Sequence, residues 1–156
     1  MSNTKKIFLI LSIFSLIMIV YFIFSLEYKV SLKSIKRKFD NNEELFLNSV
    51  NELMRKDEVV LEKNFLNFNL IENGNYSDPK NIGYSNSEYS STLKIMRNVR
   101  IKEVDKFSSN IIYVINSNAH IVQSISYIDN MDDFEKSHVI KNIILIKDNW
   151  YYVEET

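Results

Sequence analysis

The chain has 156 residues, of which 46% are apolar, and its 19 Lys and Arg nearly balance its 20 Asp and Glu. This balance argues against a nucleic-acid-binding protein, whose surface is typically strongly basic. Because the chain contains no cysteine, disulfides, thiolate metal sites and cysteine nucleophiles are excluded. Its two glycines are too few for a glycine-rich phosphate-binding loop.

An uncharged apolar run of 20 residues, Ile7–Leu26, follows a short basic tail at residues 1–6. As a helix rising 1.5 Å per residue, the run would reach about 30 Å, the thickness of the hydrocarbon core of a bilayer. The residues after it lack the small-residue pattern of a signal-peptide cleavage site. We therefore predict a single-pass transmembrane helix that acts as an uncleaved signal-anchor, with about 136 residues left for one core.

Basic residues flank this run and give conflicting predictions of orientation. Lys5 and Lys6 precede it, and five basic residues follow it: Lys29, Lys33, Lys36, Arg37 and Lys38. The positive-inside rule places the domain in the cytoplasm, whereas a short basic head before an apolar run is the layout of an export signal. We expect a cell-membrane protein with its domain outside the cytoplasm. The five residues are candidate contacts to the lipid bilayer, or simply the end of the span.

Two helices are predicted before residue 58. Apolar residues spaced by seven share one face: Leu32, Phe39, Phe46 and Leu53. Asp40–Asn42 followed by two glutamates is typical of a helix start and predicts a break near residue 41. A juxtamembrane basic helix would then cover 27–41 and an α+β domain 42–156. Because the companion heptad positions are polar, packing on a sheet is favoured over a coiled coil.

The rest of the chain changes from mixed patterns to strands. Residues 59–71 predict a strand that enters a polar loop at Asn73–Gly74, and residues 87–100 predict a short helix. After these, apolar residues alternate in five segments: 99–104, 110–116, 120–128, 139–147 and 150–155. We predict an α+β fold in which the helices pack on one face of a curved antiparallel sheet of about five to six strands.

This order of elements, with the segments LKIMRNVRIKEV and KDNWYYVEE, resembles the NTF2-like (cystatin-like) plan over about residues 40–154. It is also similar to uncharacterised single-pass or secreted proteins of low-GC Gram-positive bacteria that end in a Trp-Tyr strand. The resemblance implies a pocket-bearing scaffold that membrane-anchored relatives often use for protein contact. No catalytic residue is carried over, because the His, Asp or Tyr set of NTF2-like enzymes has no match here.

Two groups of residues are candidate metal ligands. His120 and His138 begin two predicted strands and would need Asp129 or Asp133 to complete a site, but no spacing fixes that geometry. The acidic segment 129–135 lacks the central glycine and alternating oxygen ligands of a calcium-binding EF-hand loop. We expect strand-end histidines, a solvated hairpin turn at 129–135, and neither a metal nor a cofactor.

Catalytic patterns are also lacking. No glycine-flanked serine is present, so a nucleophilic serine has no support in the sequence. The pairs Glu103 with Asp105, and Glu154 with Glu155, lie at strand ends that look exposed and show no spacing that demands acid/base work. We predict that the protein is not an enzyme.

The strand beginning Trp150, Tyr151 and Tyr152 is the best candidate for a partner contact. Alternation directs Trp150 and Tyr152 to one face of the sheet and Tyr151 to the other. One face should belong to the core. Exposed aromatics on the other would be typical of an interface, although a covering helix would make them core as well.

The composition, rich in Ile, Asn, Lys, Phe and Tyr, is typical of an AT-rich bacterial genome. We therefore expect a membrane-anchored, non-enzymatic binding or accessory domain of the bacterial envelope, whose partner is another protein and not nucleic acid. The alternatives are a membrane-anchored immunity-type protein that neutralises a toxin, and an NTF2-like small-ligand binder or enzyme.

Overall fold

The computed structural model describes residues 12–18, 29–64, 67–118 and 120–156. Residues 12–18 are helical. The helices that follow are α1 Leu32–Asp40, α2 Glu43–Leu53, α3 Ser90–Asn98 and α4 Met131–Ser137. The strands are β1 Val59–Lys63, β2 Phe68–Glu72, β3 Lys80–Ile82, β4 Glu103–Phe107, β5 Asn110–Ser117, β6 Val122–Tyr127, β7 Ile140–Lys147 and β8 Trp150–Glu155.

Within the described residues, no helix combines the length and the apolar composition needed to cross a lipid bilayer. Of the predicted span Ile7–Leu26, residues 12–18 are described and the others lie outside the described residues. This finding contradicts the predicted transmembrane signal-anchor. It also contradicts the single-pass cell-membrane localisation that depended on that helix.

The fold is α+β, and the described residues form eight antiparallel strands in one open sheet of order β3-β2-β1-β4-β5-β6-β8-β7. The prediction of five to six strands is wrong. Residues 59–71 form two strands because the Asn64 side chain accepts a hydrogen bond from the Asn67 backbone N–H at 2.8 Å, which turns the chain inside that run. The predicted polar loop after Asn73 contains the other missed strand, β3.

Helices α1, α2 and α3 pack on one face of the sheet, which we call the helix face. Trp150 is the centre of its core, with ring centroids 5.1 Å from Phe39, 5.3 Å from Phe46 and 5.9 Å from Tyr113. Phe39 and Phe46 come from α1 and α2, so the sevenfold spacing reflects packing on a sheet. The predicted break between these helices lies at Asn41–Asn42.

A chain of polar groups ties α2, α3 and β5 together inside this core. The Glu52 carboxylate accepts hydrogen bonds from the backbone N–H groups of Ser91 and Thr92, at 2.7 and 2.9 Å, and so caps the start of α3. The Thr92 hydroxyl lies 2.8 Å from that of Ser49, to which the Tyr113 hydroxyl donates at 2.9 Å. The buried hydroxyls are therefore satisfied without water.

The described residues cover only part of the opposite face of the sheet, which we call the second face. Phe134 of α4 packs there in a small cluster with Ile112, Val114, Ile128 and Val153. The hairpin turn predicted at 129–135 is a helix instead. The Asn130 side chain caps this helix by accepting a hydrogen bond from the Asp133 backbone N–H at 3.2 Å. Two acidic residues in the first turn also stabilise the N-terminus through the helix dipole.

Candidate functional site

The second face carries a cleft of about 270 Å³ where β1, β2 and β4 meet the end of α4. Val60 and Ile71 form an apolar, buried floor. Tyr76 and Phe107 form an aromatic rim, with 67% and 45% of their surfaces exposed. Since the rim side chains remain this exposed, the cleft opens directly to solvent.

Strand register places the floor and one wall of the cleft in a single row. Val60 pairs with Ile71 on one side and with Asp105 on the other, so these side chains emerge together on the second face. After β2, Asn73 adopts a positive φ of 53°, which turns the chain. Its backbone N–H donates to the carbonyl of Glu58 at 3.0 Å and so fixes Glu58 beside the turn.

Five carboxylates form an acidic row that extends from the cleft along the second face. Glu58 and Asp105 line the cleft. Glu62 and Glu103 are directly opposite each other in the β1–β4 pair, and Glu155 lies at the end of β8. Like charges opposite each other destabilise a strand pair. Among the described residues, no member of the row forms a salt bridge.

The pKa values of three members rise above their ordinary values. Burial raises the pKa of Asp105, and the charge of Glu58 adds to the rise while His138 opposes it. Burial and the charge of Glu62 raise the pKa of Glu103. Burial likewise raises the pKa of Glu155, with a further contribution from Asp105. The row therefore holds its negative charge at a free-energy cost.

The lysine closest along β4 cannot neutralise this row. The Lys106 ammonium group is buried on the helix side, where it donates hydrogen bonds to the backbone carbonyls of Lys56, at 2.6 Å, and Asp57. Adjacent residues of a strand face opposite sides of the sheet, so Lys106 and Asp105 are directed apart. Lys106 is among the residues that line the cleft, but its ammonium group is therefore directed away from the Asp105 carboxylate.

Ser137, His138 and Asp105 all line the cleft, but their hydrogen bonds do not form a serine-protease-like relay. The Ser137 hydroxyl donates to the carbonyl of Asp133 at 2.9 Å. The His138 Nδ1 lies 2.9 Å from the carbonyl of Phe134, and its ring stacks on the Phe134 ring at 4.4 Å. A nucleophilic serine requires a base within hydrogen-bonding reach, so this arrangement favours binding over acyl transfer.

The two histidines considered as metal ligands do not lie on neighbouring strands. β8 separates β6, which His120 precedes, from β7, which His138 precedes. His120 is exposed, and Asp133 accepts a hydrogen bond from the Asn130 side chain at 2.8 Å. No group of three or more potential metal ligands occurs in the part of the chain that the structure describes.

Trp150 and Tyr152, proposed as partner contacts, are buried on the helix face, 3% and 2% exposed. The Tyr152 hydroxyl donates to Glu154 and accepts from the Gln123 amide at 2.7 Å. Tyr151 is half-buried and packs against the cluster on the second face. Of the three aromatics, only Tyr151 presents part of its surface on the side of the cleft.

The five basic residues proposed as lipid contacts have different surroundings. Lys29 forms an ion pair with Glu154 at 2.7 Å, and Lys38 donates to the carbonyl of Val99 at 3.1 Å, at the end of α3. Burial and the charge of Arg100 lower the pKa of Lys38. The remaining three are exposed on α1: Lys33, Lys36 and Arg37.

The sequence pattern indicated some residues of this site in other roles and gave no sign of the rest. Glu103 and Asp105 are two residues apart in a strand, which places both on one face, but they are half-buried and not exposed as expected. His138 was considered only as a metal ligand, and Glu58 and Tyr76 reach the cleft from loops that carry no local signal. The carboxylates of the second pair, Glu154 and Glu155, lie on opposite faces.

No known protein family, curated protein or solved structure matches this chain.

Proposed function

We propose that this domain is a non-enzymatic binding module that uses the cleft of the second face to contact another protein. The observation that supports this proposal is the combination of an apolar floor, an exposed aromatic rim and an acidic row on one open surface. Exposed aromatics around a partly buried apolar centre are typical of protein interfaces. The same surface would serve an accessory protein of a larger assembly.

The open shape of the cleft favours a protein partner over a small molecule. Small-molecule sites typically enclose about 300–1,000 Å³ and bury most of the ligand. The cleft, at about 270 Å³, lies near the lower end of this range, and its rim is exposed, so it suits one side chain of a larger partner better than an enclosed ligand. An NTF2-like small-ligand binder or enzyme would need a more closed cavity.

The acidic row favours an immunity-type protein as a second candidate. An inhibitor that neutralises a basic toxin gains association rate and specificity from a negatively charged contact surface. The described second face offers such a surface. Under this alternative, the partner would be a protein that harms cells lacking this chain.

Site-specific photocrosslinking of the full chain in its native cells tests the proposal. The photoreactive residue p-benzoylphenylalanine replaces Phe107 at the rim or, as a control, Leu47 on α2. Both positions are 45% exposed, but Leu47 lies on a helix of the opposite face. We expect a discrete crosslinked protein from position 107 alone.

Equal crosslinking from both positions, or none from position 107, would contradict the proposal. The crosslinked protein, identified by mass spectrometry, also separates the two candidates. A partner that is toxic without this chain supports the immunity-type function, and a component of a stable assembly supports the accessory function.

A further inference from the structure

We infer that the cleft accepts an arginine or lysine side chain from a basic segment of the partner, held between Glu58 and Asp105. This inference rests on the proposed function and specifies the chemistry of the contact. It commits to a protein segment with a positive charge, and a second copy of this chain is an outcome of the test.

The lining of the cleft matches an amphipathic cationic side chain. Val60 and Ile71 offer an apolar floor, and Glu58 and Asp105 line the same cleft. Arginine and lysine have a long aliphatic stem that covers apolar surface and a charged head that seeks a carboxylate. A purely apolar side chain would cover the floor but would leave the two carboxylates desolvated without a partner.

Charge complementarity points the same way. On the helix face, by contrast, the half-buried carboxylate of Glu72 has two cationic partners, Lys80 at 3.1 Å and Lys56 at 3.6 Å. In the acidic row, His138 attracts Asp105 and Glu155, and no described lysine or arginine forms an ion pair with any member. A cation supplied by a partner would relieve repulsion that the domain otherwise carries.

The aromatic rim favours arginine over lysine. Tyr76 and Phe107 expose ring surface at the mouth of the cleft. A guanidinium group is planar, stacks on aromatic faces and binds a carboxylate through two parallel hydrogen bonds. The same group can thus contact the rim and the wall together.

Fluorescence anisotropy with the purified full chain tests this inference. The probe is a fluorescein-labelled octapeptide of four Gly-Arg pairs, and its control replaces each arginine with citrulline, which is uncharged and nearly the same shape. We expect the arginine peptide to bind more tightly, and its binding to weaken as NaCl rises from 50 to 500 mM because salt screens the attraction.

Matched variants locate the binding. Glu58→Gln combined with Asp105→Asn should weaken binding of the arginine peptide at least tenfold, whereas Glu44→Gln, an exposed carboxylate on α2, should not change it. Circular dichroism melting checks that the double variant is folded at the assay temperature. The rim variant Phe107→Ala, which keeps both carboxylates, should weaken binding as well.

Several results would overturn the inference: no binding of the arginine peptide, equal binding of the citrulline peptide, or equal losses from Glu44→Gln and the double variant. A crosslinked product at position 107 that is this chain itself would also do so. If crosslinking to another protein continues at full yield in the double variant, the proposed function stands and the inference fails. If the peptide binds as expected but no protein crosslinks in cells, the proposed function fails.

Discussion

Glu154 and Glu155 are neighbours on β8 but lie on opposite faces of the sheet, where their partners and their pKa values differ. On the helix face, Glu154 is 3% exposed and is bonded by Lys29 and Tyr152. Burial acts to raise its pKa, but these hydrogen bonds outweigh burial and lower the pKa below its ordinary value. On the second face, burial and Asp105 raise the pKa of Glu155.

The same difference recurs at the other end of the sheet. Glu72 lies on the helix face, where a hydrogen bond from Tyr89 and the charges of Lys80 and Lys56 lower its pKa although burial opposes them. Across the sheet, Glu103 and Asp105 have raised pKa values. The helix face thus supplies cationic partners for Glu154 and Glu72. On the second face, no described lysine or arginine forms an ion pair with Glu103, Asp105 or Glu155.

The largest expected effect comes from the core of the helix face. Trp150→Ala should lower the free energy of unfolding by about 4 kcal/mol, because it removes the ring on which α1, α2 and β5 pack. Tyr151→Ala, on the half-buried second face, should cost about 1–2 kcal/mol. Urea unfolding of the two variants measures both values. Similar losses of stability would show that the second face is packed as tightly as the helix face.

Neutralising the adjacent glutamates is a sharper test of the comparison. Glu154→Gln should lower the free energy of unfolding by about 2 kcal/mol, since it weakens charged hydrogen bonds in a buried site. Glu155→Gln should leave the stability at pH 7 unchanged or slightly higher, because it removes a charge that burial disfavours. Equal losses in denaturant unfolding would mean that Glu155 has a stabilising partner.

The pH dependence of stability should also separate the faces. A carboxyl whose pKa is raised on folding binds more protons in the native state, so stability falls as pH rises through that interval. We expect stability to increase on acidification from pH 7 towards the ordinary carboxyl range, and then to fall once Glu72 and Glu154, with lowered pKa values, take up protons. Asp105→Asn should reduce the rise in stability on acidification from pH 7 and leave the later fall unchanged. Thermal melts at a series of pH values measure both effects.

The smallest effect is expected for the exposed charges of α1. Replacing Lys33, Lys36 and Arg37 together with Gln should change the free energy of unfolding by less than about 0.5 kcal/mol per residue, since none of these side chains is buried. A larger loss would reveal that the helix face depends on surface charge. Thermal melting at low and high salt provides the measurement.

The sequence predicted the long, alternating strands well because strands such as β5 and β8 have six or eight residues of clear pattern. β2 was missed because the turn at Asn64 interrupts an otherwise continuous pattern. β3 was missed because it has only three residues, two of them polar. α4 was missed because its seven residues have the composition of an acidic loop. The packing of Phe134 against the sheet, which stabilises the helix, is not visible in the sequence.

The candidate site was less accessible to prediction than the fold. Spacing alone places Glu103 and Asp105 on one face, but their burial depends on which face the helices cover. β8 lies between β6 and β7, and the charge of Asp105 acts on Glu155 at its end. No local sequence pattern predicts this strand order. Long-range pairing of this kind is not encoded in short-range periodicity.

Side chains of β4 alternate between the two faces of the sheet, so that Val104 lies in the core and Asp105 in the cleft. A two-residue turn at Ser108–Ser109 joins β4 to β5. Inserting or deleting one residue within β4 would therefore carry Asp105 into the apolar core and expose Val104. Changes of chain length should be tolerated instead after Tyr76, in the exposed residues 77–79.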